Sequence, residues 1–364
     1  MIEHVYIHIP FCTGKCHYCS FVSGKNIEDK DRYLIALQEQ IKQEYKGEKL
    51  KTLYFGGGTP SLLEVEDIKQ LIGLFVLDKN AEITIEVNPE TVQYEKFIGF
   101  KEIGVNRISL GVQTFDDEIL KQIGRRHNSE KVYSAIDIIK RVGFENISID
   151  LMYGLPTQTL QGFEKDIEKA IGLNIQHISS YGLKIEEDSY FGKNVPLNIA
   201  DDEMQAQMFT RLCEKLKQSG FEHYEISNFA KEGFSSNHNN SYWKNKEYYG
   251  FGLNASGYVQ NVRYRNEDDF EKYIKNPCNR AEEDELSVQE IMENEIFLSL
   301  RLKDGVDVLN LNKKFNIDFL ERYKIVIQKY SEWGLIKVEK DRCMLTHAGV
   351  LLSNEIMCEF LEIG

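Results

Sequence analysis

Three cysteines crowd into eight residues: Cys12-Thr13-Gly14-Lys15-Cys16-His17-Tyr18-Cys19 has the spacing C-x3-C-x2-C. Thiolates are soft ligands that select iron–sulfur clusters, zinc or copper(I). Three of them can hold three corners of a [4Fe–4S] cubane and leave the fourth iron open to an exogenous ligand. A closed zinc site is the alternative, but it needs a fourth ligand. His17 is available for that, although it lies between two of the cysteines. The remaining Cys213, Cys278, Cys343 and Cys358 are isolated along the chain and read as inert free thiols.

Two further segments could do chemistry. Gly56-Gly57-Gly58-Thr59-Pro60 permits close backbone approach and positive φ, which suits a cradle for a small charged molecule. An ordinary strand-to-helix turn explains it equally well. Ser236-Asn237-His238-Asn239-Asn240-Ser241-Tyr242-Trp243 combines an imidazole, a good axial ligand for iron, with aromatics that can pack on a porphyrin face. Taken alone, these residues equally describe a loop histidine bonded to its neighbours under aromatic cover.

The elements that must position these residues alternate in type. Strands are predicted over Val5–Ile9, Thr52–Phe55, Ile83–Val87, Arg107–Gly111, Ile147–Leu151 and His177–Tyr181. Helices are predicted over Asp31–Tyr45, Val65–Val76, Gln93–Ile103, Asp117–Val142, Gly162–Gly172 and Asp202–Gln218. Strands separated by helices argue an α/β fold with a parallel sheet, curled by right-handed crossovers into a full or partial barrel. Chemistry in such barrels sits at the C-terminal ends of the strands, where the cysteine and glycine segments fall. The stretch 233–265 shows little periodicity, and the acidic run Glu282–Glu285 marks a boundary. The predicted organisation is therefore a barrel over 1–230, a connecting region over 231–280 and a small domain over 281–364. That last part reads as helices Ser287–Arg301, Val306–Phe315 and Phe319–Tyr330, with wing strands Leu335–Val338 and Cys343–Leu345. This is a winged-helix pattern, expected to serve packing or partner docking.

The cysteine spacing resembles the signature of radical S-adenosylmethionine (SAM) enzymes, which implies a partial (β/α)6 barrel. The resemblance places SAM contacts at Gly57, Gly58 and Thr59, with Glu86, Gln113, Arg125 and Asp150 following in order. It implies one-electron reduction of SAM to a 5′-deoxyadenosyl radical. Longer stretches, Tyr6-Ile7-His8-Ile9-Pro10-Phe11-Cys12, Arg107–Phe115 and Ile149–Pro156, resemble the oxygen-independent coproporphyrinogen III oxidase (dehydrogenase) family over nearly the whole chain. Tyr6 matches that family's tyrosine near the cluster, and Tyr18 its aromatic position before the third cysteine.

Two departures argue against the decarboxylase itself. Position 21 is Phe21, where that enzyme has a fourth cysteine, and only eleven residues precede Cys12, where it has an extension. The His-Asn-x-x-Tyr-Trp segment instead resembles heme chaperones related to that family. This makes His238, Tyr242 and Trp243 the heme candidates. The implied partners are heme, an acceptor hemoprotein (membrane-associated ones included) and an electron donor for the cluster. Oxidative decarboxylation of coproporphyrinogen III is the enzymatic alternative, so the sequence leaves open whether the chain is an enzyme.

Composition bounds these readings. The chain has 364 residues, 42% hydrophobic and 28% charged, with a net charge of −14. That balance disfavours a duplex nucleic-acid partner held through phosphates. No stretch approaches the roughly 20 apolar residues of a membrane span, and the N-terminus lacks the features of a signal peptide. A cytoplasmic location is expected.

Overall fold

The computed structural model describes residues 2–23 and 26–361; Met1 and residues 362–364, at the outer ends of the expected domains, lie outside it. Six strands run parallel in chain order: β1 (His4–Ile9), β2 (Lys49–Gly57), β3 (Val76–Val87), β4 (Arg107–Gln113), β5 (Asn146–Tyr153) and β6 (His177–Gly182). A hairpin of β7 (Glu222–Glu225) and β8 (Asn228–Ala230) extends the β6 edge antiparallel. On the other edge β9 (Tyr249–Phe251) pairs parallel with β1. The sheet curves, because inward residues from β2 through β6 (Tyr54, Glu86, Arg107, Asp150, Ser179) line one cavity. The expected partial barrel is therefore present.

Local chemistry explains where the elements differ from the expected spans. The helix expected over Asp117–Val142 is two helices, Asp117–Gln122 and Ser129–Val142. Gly124 takes a left-handed φ of 76°, and the Asn128 side chain caps the second helix on the Lys131 N–H, which breaks the run between them. The helix beginning at Val65 stops at Ile72, and Val76 instead opens β3, pairing beside Lys49. The acidic run expected at a boundary lies in β12 (Arg280–Glu285), in a three-stranded sheet with β10 (Ser256–Val259) and β11 (Val262–Asn266). Arg265 and Arg263 stand opposite Glu282 and Asp284 in the ladder, so cross-strand opposite charges make the acidic strand tolerable.

The C-terminal part packs helices Val288–Ser299, Val308–Phe315 and Lys324–Glu332 against a small sheet. Its strands β13 (Val306–Asp307), β14 (Ile336–Glu339) and β15 (Arg342–Leu345) are ordered β13-β15-β14. Met292, Ile296, Leu311, Phe319 and Phe360 form a core separate from the barrel's.

Candidate functional site

The cysteine loop leaves the C-terminal end of β1, and three neighbouring strand ends hold it. The Cys12 Sγ is 3.4 Å from Thr59 Oγ1, at the end of the glycine turn after β2. Asn88, just past β3, donates from Nδ2 to the same Thr59 oxygen at 2.9 Å. Arg125 donates from Nη2 to Asn88 Oδ1 at 2.8 Å and from Nη1 to Cys16 Sγ at 3.6 Å. One polar chain thus runs Cys12–Thr59–Asn88–Arg125–Cys16 across four loops. Asn88 escaped the sequence reading. The available signal was its place two residues beyond Glu86, on the same side of an extended segment.

The glycine turn requires its composition. Gly57 has φ 105°, and a methyl group there would lie 2.4 Å from the His8 ring; at Gly58 it would lie 2.6 Å from the Phe11 carbonyl oxygen. Across the mouth, Gln113 carries φ 71° where the β4–β5 register shifts. A non-glycine residue there costs on the order of 1 kcal/mol, and strain of this kind concentrates at ligand sites.

Beneath the cysteines lies a cavity of about 400 Å3, within the range for small-molecule sites. Cys12, Cys16 and Cys19 line it, as do Tyr18, Gly57, Gly58 and Thr59; Glu86, Gln113, Arg125 and Asp150 face it from deeper strands and loops. Glu86 accepts hydrogen bonds from the Tyr54 hydroxyl at 2.9 Å and the Gly57 N–H at 3.0 Å. Burial, with Asp150 nearby, nevertheless pushes its carboxyl up to about 7. Burial also pushes Asp150 up to about 6. Arg107, 2% exposed, lines the same chamber without a partner for its Nε, and the sequence reading did not single it out as a site residue. Tyr6 lies deeper, its hydroxyl 3.2 Å from His8 Nδ1, and His8 donates from Nε2 to the Val22 carbonyl beyond the cysteine loop.

These residues fit a cluster with SAM. The three thiols face the cavity, a soft donor set of the kind that holds an iron–sulfur cluster. His17 turns aside, donating from Nδ1 to the Gln122 carbonyl at 2.7 Å, with its ring 4.5 Å from that of Tyr190. The Arg125 Nε is buried and unpartnered, a donor left over beside the cradle.

The His-Asn-x-x-Tyr-Trp segment forms a short helix, Asn237–Trp243, whose Asn239 lines the same cavity as the cysteines. Its first N–H groups, from Asn237 and His238, donate to the Glu82 carboxylate near the middle of β3 at 3.1 and 3.0 Å. Both His238 ring nitrogens are engaged, Nδ1 with Thr52 Oγ1 at 2.8 Å and Nε2 with the Tyr242 hydroxyl at 2.7 Å. The ring stacks on Tyr54 at 4.9 Å, and burial drives its pKa well below the usual histidine value. His238 is therefore a neutral member of the barrel floor, whereas Tyr242 and Trp243 face a second cleft outside it.

The chain resembles known proteins along its length. Residues 6–170 match the model of the radical SAM superfamily, and residues 286–352 match the HemN C-terminal domain. The heme chaperone HemW of Lactococcus lactis is 38% identical, the match covering 98% of this chain and 96% of the relative. That of Bacillus subtilis is also 38% identical, covering 99% of each. The solved structure of coproporphyrinogen III oxidase (HemN) from Escherichia coli, a radical SAM enzyme, superposes with a TM-score of 0.88. That superposition covers 99% of this chain and 90% of the other at 21% identity, which establishes a shared fold. Cysteines, glycine cradle, barrel and C-terminal domain all agree with these likenesses, and at 38% identity over nearly the full length the chain belongs to the HemW family of radical SAM proteins.

Proposed function

We propose that this protein is a heme chaperone: it binds heme and hands it to an acceptor hemoprotein. The observation that carries the reading is 38% identity over 98% of the chain to a relative of that name. Cys12, Cys16 and Cys19 would hold a [4Fe–4S] cluster, with SAM cradled by Gly57, Gly58 and Thr59. Glu86, Gln113, Arg125 and Asp150 would contact SAM from the barrel wall, with Tyr18 beside the cluster and Tyr6 beneath. Cluster and SAM bound together supply one-electron reductive cleavage of a carbon–sulfur bond. The chain's own contribution is positioning: Arg125 and Asn88 fix two of the cysteine-bearing turns, and the glycines admit the ligand backbone to backbone.

Heme belongs in this proposal with the short helix that carries His238, Tyr242 and Trp243. The same reading includes an electron donor for the cluster, acceptor hemoproteins in the membrane and a place in the cytoplasm. No helix among the described residues is long and apolar enough to cross a membrane. A division of the chain near residues 230 and 280 is proposed alongside, the two separate apolar cores supporting the second boundary.

The test is an anaerobic titration of cluster-loaded protein with heme, followed by mixing with an apo-hemoprotein. The expected result is a stoichiometric Soret shift and transfer of heme to the acceptor. Absence of a saturable shift would overturn the reading. Conversion of coproporphyrinogen III to protoporphyrinogen with SAM and reductant would replace it with decarboxylation.

A further inference from the structure

Behind the cysteine cavity, outside its lining, lies a compact group of charged and polar side chains. His127 Nδ1 is 3.6 Å from Glu90 Oε2, with the imidazole fully buried and the Glu90 side chain 23% exposed. Both atoms are buried and hydrogen-bonded to no described residue, and so is the Nε of Arg125. The Arg125 charge acts on both neighbours. Buried polar atoms are costly to leave unpaired, so three of them at one place point to a constraint other than stability.

Each member of the group is tied to a segment that faces the cavity. The Val112 carbonyl accepts from the Thr114 N–H at 3.0 Å, closing a three-residue turn around Gln113 with its φ of 71°. A turn of that hand is the rare, strained form. His127 donates from Nε2 to the same carbonyl at 3.2 Å, so a second bond holds the strained peptide. Burial lowers the His127 pKa, although Glu90 opposes it. A neutral ring with its proton on Nε2 leaves Nδ1 an acceptor.

Glu90 sits on the turn Pro89–Thr91, which is itself fixed. Thr91 donates from Oγ1 to the Asn88 carbonyl at 2.8 Å, and Ser61 Oγ lies 2.7 Å from Thr91 Oγ1. Burial would raise the Glu90 carboxyl, yet His127 and the Arg125 charge hold it below its ordinary value. The group therefore sets an anion behind the Arg125 guanidinium, whose Nη2 donates to Asn88 and to the Gly111 carbonyl.

Resting on the SAM site proposed above, we propose that Glu90 and His127 are positioning residues for SAM. Glu90 holds the Arg125 guanidinium through its charge, and His127 holds the Val112–Gln113 peptide in its strained turn. Neither touches the ligand; both act through Arg125 and Gln113, which face the cavity. Side chains that meet a ligand keep their geometry only when partners behind them lock it.

The experiment measures SAM affinity by equilibrium dialysis for cluster-loaded wild type, Glu90→Gln, His127→Ala and His127→Gln. The electron paramagnetic resonance spectrum of the reduced cluster, before and after SAM, is the second readout. Glu90→Gln and His127→Ala are expected to bind SAM about tenfold more weakly and to show a smaller spectral change at saturating SAM, with cluster absorbance unchanged. His127→Gln, whose amide can still donate to Val112, should recover most of the affinity. Wild-type SAM affinity in Glu90→Gln or in His127→Ala overturns the proposal, whatever their melting temperatures. So does a loss in His127→Ala that His127→Gln fails to recover. Failure of wild type itself to bind SAM overturns the SAM site, and these roles with it.

Discussion

Glu86 is a carboxyl held in two conflicting ways. Tyr54 and Gly57 donate to its oxygens and favour the anion, yet full burial and nearby Asp150 raise it from 4.5 to about 7. A carboxyl whose folded pKa lies above its unfolded value binds more protons folded than unfolded between the two values. Stability from this group is therefore greatest at low pH and falls as pH rises from about 4.5 to about 7. At 1.36 kcal/mol per pKa unit, the full change is roughly 3 kcal/mol. Glu86→Gln keeps an oxygen acceptor but cannot ionise. Urea midpoints of cluster-loaded, SAM-free protein should fall between pH 5 and pH 8 for wild type and change much less for the variant. Parallel pH profiles would show that the Glu86 proton is not what the fold responds to. The same residue shows what sequence could reveal at this scale. Its place at the end of a strand was readable from alternation. Its pairing with Tyr54, and the buried Arg107 beside it, depend on which strands neighbour one another, which the linear pattern does not contain.

At the scale of elements, the barrel strands were legible because five-residue apolar runs recur between amphipathic helices. The short helix Asn237–Trp243 was not, since Asn-rich residues carry no apolar period and their helix is held by tertiary contacts. It stands on Glu82, whose carboxylate takes its first N–H groups, an acidic residue placed to satisfy helix donors. Likewise β9, three residues long, becomes a strand only by pairing with β1. These contacts give His238 a structural duty. It joins Thr52 of β2 to Tyr242 of its own helix, and its removal leaves two buried hydroxyls each without one partner. His238→Ala should destabilise the heme-free protein by about 2 kcal/mol, at about 1 kcal/mol for each lost bond. Thermal unfolding checks this, with His238→Gln expected to recover part of the loss. An unchanged melting temperature in the alanine variant would mean that the helix does not depend on the imidazole.

At the scale of the whole molecule, the barrel and the C-terminal part meet where Ile226 packs on the C-terminal core and Val350 on the barrel core, with polar bonds beside them. Ile226 donates its N–H to the Arg301 carbonyl at 3.1 Å, and Lys303 donates its N–H to that of Tyr224 at 3.0 Å. Between these bonds the Arg301 side chain reaches back to the barrel. Its guanidinium lies 4.3 Å from the centre of the Trp243 ring and 3.9 Å from the buried Glu225 carboxylate. Burial lowers the Arg301 pKa and raises that of Glu225, whose carboxylate is offset by donors from Asn228 and Ser227 together with the Arg301 charge. Removing one member of a buried pair leaves the other uncompensated, which typically costs 3–5 kcal/mol. Replacing both removes most of that penalty. Arg301→Ala should therefore uncouple the two cores, splitting a single calorimetric transition into two, while Arg301→Met with Glu225→Gln should restore one. The same uncoupling should leave the cluster absorbance undisturbed, since the cysteine cavity is lined by barrel residues. A single transition in Arg301→Ala would show instead that the backbone bonds at Ile226 and Lys303 suffice to hold the seam. The C-terminal part would then be held to the barrel by those bonds and its apolar contacts, independent of the Arg301 charge.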